Sequence, residues 1–214
     1  MNVFYDTILL VYAALFPIIN PIGSAPLFLG LTQFSTQSDR NILARRVAFN
    51  SFFLLLGSLF VGSHVLSFFG IDLPVVRIGG GLVVTAFGWK LLNSETHPDG
   101  DAASRATGLP DAFYPLTMPL TVGPGSISVA ITIGSRKPEM EFAFPAVALH
   151  AVGAFFGVVA IALSIYIAYR FAGNLARLLG TTGLEVMVRL SAFILMCIGI
   201  QIIWNGWSAL SLVH

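Results

Sequence analysis

The chain has 214 residues, 56% of them hydrophobic and 10% charged, with a formal net charge of +1. Ordinary soluble domains are roughly 45–50% apolar and about 25% charged, so this composition excludes a water-soluble fold of this size. Near-neutrality removes the electrostatic case for a nucleic-acid partner, and the single cysteine, Cys197, excludes an intramolecular disulfide and a cysteine cluster for zinc.

A helix needs about 20 largely apolar residues to cross the hydrocarbon core. Six segments meet that length: 5–32, 45–70, 74–93, 112–135, 142–169 and 186–211. The first follows an N-terminus, Met1 to Asp6, without a basic n-region, and its apolar run is too long for a typical signal peptide, so it reads as a retained helix. The second carries His64 and the small pair Ser58 and Gly62. The third has its apolar centre between Arg77 and Lys90, whose long side chains snorkel toward the two interfaces. It also contains Gly79, Gly80 and Gly81, read as a surface for close helix packing. A polar linker over 94–111 separates it from the fourth. The fifth holds His150 and the GxxxG pair Gly153 and Gly157, again a close-packing signal. The sixth holds Cys197, read as a small buried hydrophobe. These runs are too long and smooth for transmembrane β-strands, which need only about 9–11 alternating residues. The fold class is therefore an all-α integral membrane protein.

Basic residues are unevenly placed. Loops one, three and five, with the adjoining helix ends, hold Arg40, Arg45, Arg46, Lys90, Arg105, Arg170, Arg177 and Arg189, against Arg77, Arg136 and Lys137 on the other side. The positive-inside rule puts the odd loops in the cytoplasm and both termini outside.

Two spans share an internal pattern. The first reads FPIINPIGSAPLFL and the fourth YPLTMPLTVGPGSISV; Pro17, Pro21 and Pro26 recur as Pro115, Pro119 and Pro124 at a constant shift of 98. Val76, Arg77 and Asn93 of the third span match Val188, Arg189 and Asn205 of the sixth at a shift of 112. Residues 1–93 and 112–214 thus read as a three-helix unit used twice. Three is odd, so the second copy crosses the membrane inverted, a plan that recurs in secondary transporters with a site at the midplane.

Proline removes a helical N–H and clashes with the carbonyl four residues back, and it pushes the preceding residue out of helical geometry. Both motif spans should therefore be interrupted, around Asn20 to Ala25 and around Met118 to Gly123, with second half-helices starting near Pro26 and Pro124. Unwound backbone in the hydrocarbon must be buried or line a watery cavity. The half-helices would present free N–H groups and a positive dipole end, suited to a carboxylate. Freed carbonyls with Asn20, Ser24, Thr121 and Ser126 would accept from an ammonium or hydroxyl. The three hydroxyls can equally bond back to their own helices. His64 and His150 are the histidines inside spans and are candidates for a proton relay, or neutral groups bonded to a neighbouring helix. No HExxH, GxSxG or Walker A sequence occurs, so neither an enzyme nor a cofactor or metal site is expected.

The NPIGSAPLFL of the first span, the PLTVGPGSIS of the fourth, the IGGG of the third and the six-span length resemble the MarC family of bacterial and archaeal inner-membrane proteins, which includes SnatA-like transporters of small neutral amino acids. The resemblance covers essentially the whole chain. It implies a multi-pass protein of the cytoplasmic membrane that moves glycine, alanine or similar solutes; a proton or sodium ion is the candidate coupling partner, and the choice is open because no Asp or Glu lies deep in a span. It also implies a substrate site in two halves: Asn20, Pro21, Gly23, Ser24 and Pro26, then Thr121, Gly123, Pro124, Gly125 and Ser126. Met118 stands where the first copy has Asn20, so the halves are not equivalent. The competing expectation is a passive channel, with the broken helices forming a constriction.

Overall fold

The computed structural model describes residues 3–32, 34–93, 111–135 and 144–211, and among them every regular element is helical. The linker 94–110 with Arg105, the loop carrying Arg136 and Lys137, and His214 lie outside the described residues. Four helices have the length and apolarity of a membrane span: Gln37–Phe60, Leu73–Asn93, Ala148–Arg170 and Glu185–Ser211. Two bent pairs supply the others, Val3–Ile19 with Pro21–Leu31 at 41° and Ala112–Thr121 with Pro124–Gly134 at 68°. First and fourth spans are thus the broken ones, as their prolines predict.

Helix α1 (Val3–Ile19) accommodates Pro17 close to its end, and Asn20 then leaves the helix in the left-handed region at φ 44° and ψ 61°. Helix α2 (Pro21–Leu31) starts on Pro21, whose missing N–H costs nothing in the first turn. The break is therefore confined to Asn20. Ser24, Ala25 and Pro26 are helical, which corrects the expectation of an interruption reaching Ala25 and a half-helix starting near Pro26. Asn20 alone absorbs the turn, because an Asn side chain tolerates left-handed geometry and can bond the local backbone.

Helix α3 (Gln37–Phe60) begins eight residues before the span start at 45. Thr36 and Asp39 form a capping box: the Thr36 hydroxyl accepts from the Asp39 N–H at 3.2 Å, and the Asp39 carboxylate accepts from the Thr36 N–H at 3.3 Å. A short helix, α4 (Gly62–Phe68), follows an interruption at Val61. His64 lies on it and is exposed, so the expectation that it sits well inside a continuous span is corrected.

Helix α5 (Leu73–Asn93) is followed, beyond the linker, by the Pro-rich coil Ala112–Thr121 and helix α6 (Pro124–Gly134). Helix α7 (Phe144–Arg170) leads into α8 (Ala172–Ser211), which is interrupted by Gly180 at φ 67°. Cys197 is exposed on α8, not buried. The hydropathy of its neighbours says that the segment is in the membrane, not which face of it meets protein.

Small residues set the packing. Gly153 abuts Phe4 and Thr7 of α1, and Gly157 abuts Val11, so the GxxxG pair is the α1–α7 contact. Gly81 faces Gly199 and Ile203, and Gly88 faces Ala192 and Met196, which brings α5 and α8 together along their lengths. Of the Gly79–Gly81 triplet, Gly81 packs on α8 and Gly80 lies against the Pro124 carbonyl, whereas Gly79 is exposed with no neighbour near a Cβ placed there, which corrects the close-packing expectation at that position. The set of contacts is preserved when the halves are exchanged. Helix α1 rests on α7 as the Pro-rich coil rests on α3, and α2 packs on α7 and α8 as α6 packs on α3 and α5.

Candidate functional site

Two different local solutions surround the broken spans. At the first, the Asn20 side chain accepts from the Gly23 N–H at 3.2 Å, and the Asn20 carbonyl accepts from the Ser24 N–H at 2.9 Å. Helix α2 therefore starts in its own cap, with the Gly23 and Ser24 N–H groups already bonded. A Cβ on Gly23 would collide with the Asn20 side chain and lie 2.8 Å from the Ser191 Oγ, so Asn20, Gly23 and α8 meet here. Ser191 was not among the candidates, although the shift of 112 pairs it with Gly79.

At the second, Tyr114 and Met118 adopt extended backbone ahead of Pro115 and Pro119, both in cis peptide bonds. The irregularity thus begins earlier than the expected Met118 to Gly123. Carbonyls in this wide coil are taken up by hydroxyls: Thr117 donates to Ala112 at 2.7 Å and Thr121 to Leu116 at 2.6 Å. Asn50 of α3 donates to Thr117 at 3.4 Å. Val122 and Gly123 are also extended, and α6 starts at Pro124 with no side-chain cap. A helix start leaves its first N–H groups without intrahelical partners and carries the positive dipole end. Here those groups belong to Gly125 and Ser126.

A cavity of about 20 Å³ adjoins this start, enough for about one water. Thr121, Gly123, Pro124 and Ser126 line it, closed in by the apolar side chains of Ile18, Val84, Phe87 and Leu195. The predicted candidates are therefore only partly gathered. Those four share the cavity; the Cα of Gly125 faces Ile202 and Val84 beside it. Asn20, Pro21 and Gly23 do not line it, and Pro26 is buried within α2.

Ser24 and Thr121, one from each half, meet at a residue the sequence reading passed over. Tyr169, near the end of α7, is 2% exposed and places its hydroxyl 2.7 Å from the Thr121 Oγ1 and beside the Ser24 side chain. Its ring stacks on Phe28 of α2 with centroids 4.4 Å apart. Proton accounting fixes the direction of the link. Thr121 gives its one proton to the Leu116 carbonyl, so it accepts from Tyr169. Ser24 donates to the Ile19 carbonyl at 3.3 Å and Ser126 to the Gly123 carbonyl at 2.9 Å. All three candidate hydroxyls thus bond back to their own segments, leaving lone pairs as their free capacity. A Tyr before Arg170 at the end of an apolar run, with Tyr166 one turn earlier, carries the signature of an interfacial residue, which is why it gave no signal.

The histidines stand apart from this cavity. His150 Nδ1 lies 2.8 Å from the Thr7 Oγ1, and Thr7 donates to the Val3 carbonyl at 2.7 Å. His64 faces outward from α4. Arg77 does not snorkel freely: its guanidinium donates to the Thr132 Oγ1 of α6 at 3.0 and 3.3 Å. Among the described residues, no group of three or more His, Cys, Asp or Glu side chains is placed to hold a metal ion.

Spans broken at proline motifs, glycine-mediated helix contacts and a polar centre joining two halves define a polytopic α-helical membrane protein. The chain belongs to the MarC family: the family's sequence profile, described as MarC family integral membrane protein, matches residues 5–210. Its relatives include the inner membrane protein MarC of Citrobacter koseri, 34% identical over 201 residues and 90% of each chain. The proteins of the same name from Salmonella typhimurium strain LT2 and Escherichia coli strain UTI89 are each 33% identical over 200 residues, again covering 90% of both chains. No solved structure gives a significant match.

Proposed function

We propose that this protein is a secondary transporter of small neutral solutes, glycine- and alanine-sized amino acids foremost, in the cytoplasmic membrane. The observation that carries the proposal is the uncapped start of α6 opening on a small, mainly apolar cavity at a broken span. Its N–H groups and dipole suit a carboxylate. The lone pairs of the Thr121 and Ser126 hydroxyls suit an ammonium group, and the closeness of Ile18, Val84 and Phe87 favours a short apolar side chain. Room for about one water means that this conformation is closed, and a solute enters by separation of the surrounding helices. That requirement favours alternating access over an open pore. The resemblance to small neutral amino acid transporters supports the substrate class, and the names of the relatives support the inner membrane. The bias of basic residues supports termini on the outer side. Asn20, Pro21, Gly23, Ser24 and Pro26 act in this reading by shaping the first break. Thr121, Gly123, Pro124, Gly125 and Ser126 form the contact surface. A coupling proton or sodium ion completes the scheme, with His64 and His150 as the residues to examine for a relay.

Counter-flow in proteoliposomes tests this. Unlabelled glycine or alanine inside should drive transient, saturable accumulation of labelled solute, and imposed proton or sodium gradients should identify the coupling ion. Flux that never saturates would replace the transporter by a passive pore, and the absence of any exchange in folded protein would remove this substrate class.

A further inference from the structure

Exposed positions in the middle of a membrane span normally face lipid tails, and polar side chains there are rare because hydrocarbon offers them no partner. Helix α7 follows that rule: between its ends it exposes Leu149, Val152, Phe155, Phe156, Leu163 and Ile167. Helix α5 does the same with Val75, Leu82, Val83 and Trp89. Helix α8 does not. Gln201 and Asn205 are both exposed, on the side opposite the glycines that pack against α5. Gln201 is three residues past the centre of the 27-residue stretch Glu185–Ser211, about 5 Å along the axis, and so within the part of α8 whose length and apolarity suit a membrane span.

The two amides partly satisfy one another, Gln201 Nε2 donating to Asn205 Oδ1 at 3.0 Å. An amide carries two donors and an acceptor with two lone pairs, so this one bond leaves both an acceptor and donors pointing out of the protein. The geometry points to a second copy of this chain docked on the outward face of α8, with Gln201 and Asn205 as the hydrogen-bonded centre of a two-fold interface. Self-complementarity selects this occupant. A two-fold places identical patches face to face, and a patch holding a free carbonyl and free N–H groups supplies its own partner. The small side chain of Cys197, one turn before Gln201 on the same face, lets two helices approach closely, as small residues do at transmembrane contacts.

That cysteine is also the only one in the chain, which supplies a built-in probe. Full-length protein in proteoliposomes, treated with a short bismaleimide, is expected to give a covalent dimer through Cys197 that persists as lipid is added in excess. With Cys197→Ser in place, Val152→Cys on the exposed face of α7 should give none. Gln201→Leu and Asn205→Leu should weaken dimerisation roughly threefold to thirtyfold, the range for losing an interhelical hydrogen bond in a bilayer. Gln201→Ala must act in the same direction, and unchanged melting of the monomer would show that folding is intact. The proposal is overturned if Cys197 reacts with a monofunctional maleimide yet never cross-links two copies. It is equally overturned if the amide substitutions leave dimerisation unweakened, or if cross-links form only in native membranes and to a protein of another mass.

Discussion

The two broken spans begin from the same proline spacing and end in different structures. Three prolines at identical offsets produce a 41° bend at one residue in the first span and a 68° bend spread over a coil in the fourth. The clearest difference is at the second proline, preceded by Asn20 in one span and Met118 in the other; Phe16 and Tyr114, before the first, are both aromatic, yet only Tyr114 leaves helical geometry. Asn20 turns left-handed and caps the helix that follows, so α1 passes into α2 with its hydrogen bonds nearly continuous. Tyr114 and Met118 have no such side chain and go extended, the geometry favoured ahead of proline, and the carbonyls left over fall to Thr117 and Thr121. The prolines therefore mark which spans break, and at the matching pair Asn20 and Met118 the residue before the proline goes with what the break presents. One break is closed on itself; the other offers an uncapped helix start to a cavity.

The sharpest way to break this comparison is at Asn20. Asn20→Ala removes a cap worth about 1 kcal/mol and forces a Cβ-bearing residue without local bonding into left-handed backbone at about 1–2 kcal/mol. A loss of about 2–3 kcal/mol should appear in thermal unfolding in detergent. Asn20→Gly keeps the conformation and should cost only a few tenths of a kcal/mol. Met118→Ala, at the matching position, should lose only side-chain packing. Equal effects at Asn20 and Met118 would mean that the cap does not distinguish the two breaks.

A smaller contrast is expected between the glycines. Gly23→Ala displaces the Asn20 side chain and presses on Ser191 of α8, and should destabilise by about 1–2 kcal/mol. Gly125→Ala meets the Ile202 Cδ1 at 2.9 Å, a flexible end that can rotate aside, and the Val84 Cγ2 at 3.0 Å, which must give by a few tenths of an ångström. Helix propensity returns up to about 1 kcal/mol for Ala over Gly, so this variant should be near neutral. Chemical denaturation of both proteins in the same detergent checks the order, and a reversal would place the tighter constraint at the second break.

Much of the architecture was legible because hydrophobic length and proline chemistry are local properties. Charge-free runs located the spans, and the GxxxG of α7 marked a close helix contact, whose partner is α1. Failures came where a third partner decides. The early start of α3 was written in Thr36 and Asp39 as a capping box, a signal present and not used. Cys197 and His64 were placed by the hydropathy of their neighbours, which fixes depth and not facing. The candidate site was half legible: the prolines mark both breaks, but nothing local in the first span says that Asn20 would spend its side chain on Gly23. Tyr169 sits 48 residues from Thr121, and only folding brings them together.

Tyr169 is where the comparison becomes a mechanism, since its hydroxyl touches Ser24 from one broken span and Thr121 from the other. Tyr169→Phe leaves no orphaned partner: Thr121 still donates to Leu116 and Ser24 to Ile19, and the stack on Phe28 remains. The stability loss should therefore be about 1 kcal/mol, the worth of one hydrogen bond. If that bond ties the broken fourth span to α7 in the closed state, its removal lowers the barrier to their separation by a similar amount. Solute exchange in proteoliposomes should then quicken by up to about fivefold, since 1.4 kcal/mol is tenfold, with the half-saturation concentration little changed. Thr121→Val, which deletes the same bond from the other side, should move the rate in the same direction. It should also raise the half-saturation concentration, because Thr121 lines the cavity and Tyr169 does not. Loss of stability in Tyr169→Phe with an unchanged exchange rate would reduce the hydroxyl to a packing contact and leave the two breaks uncoupled.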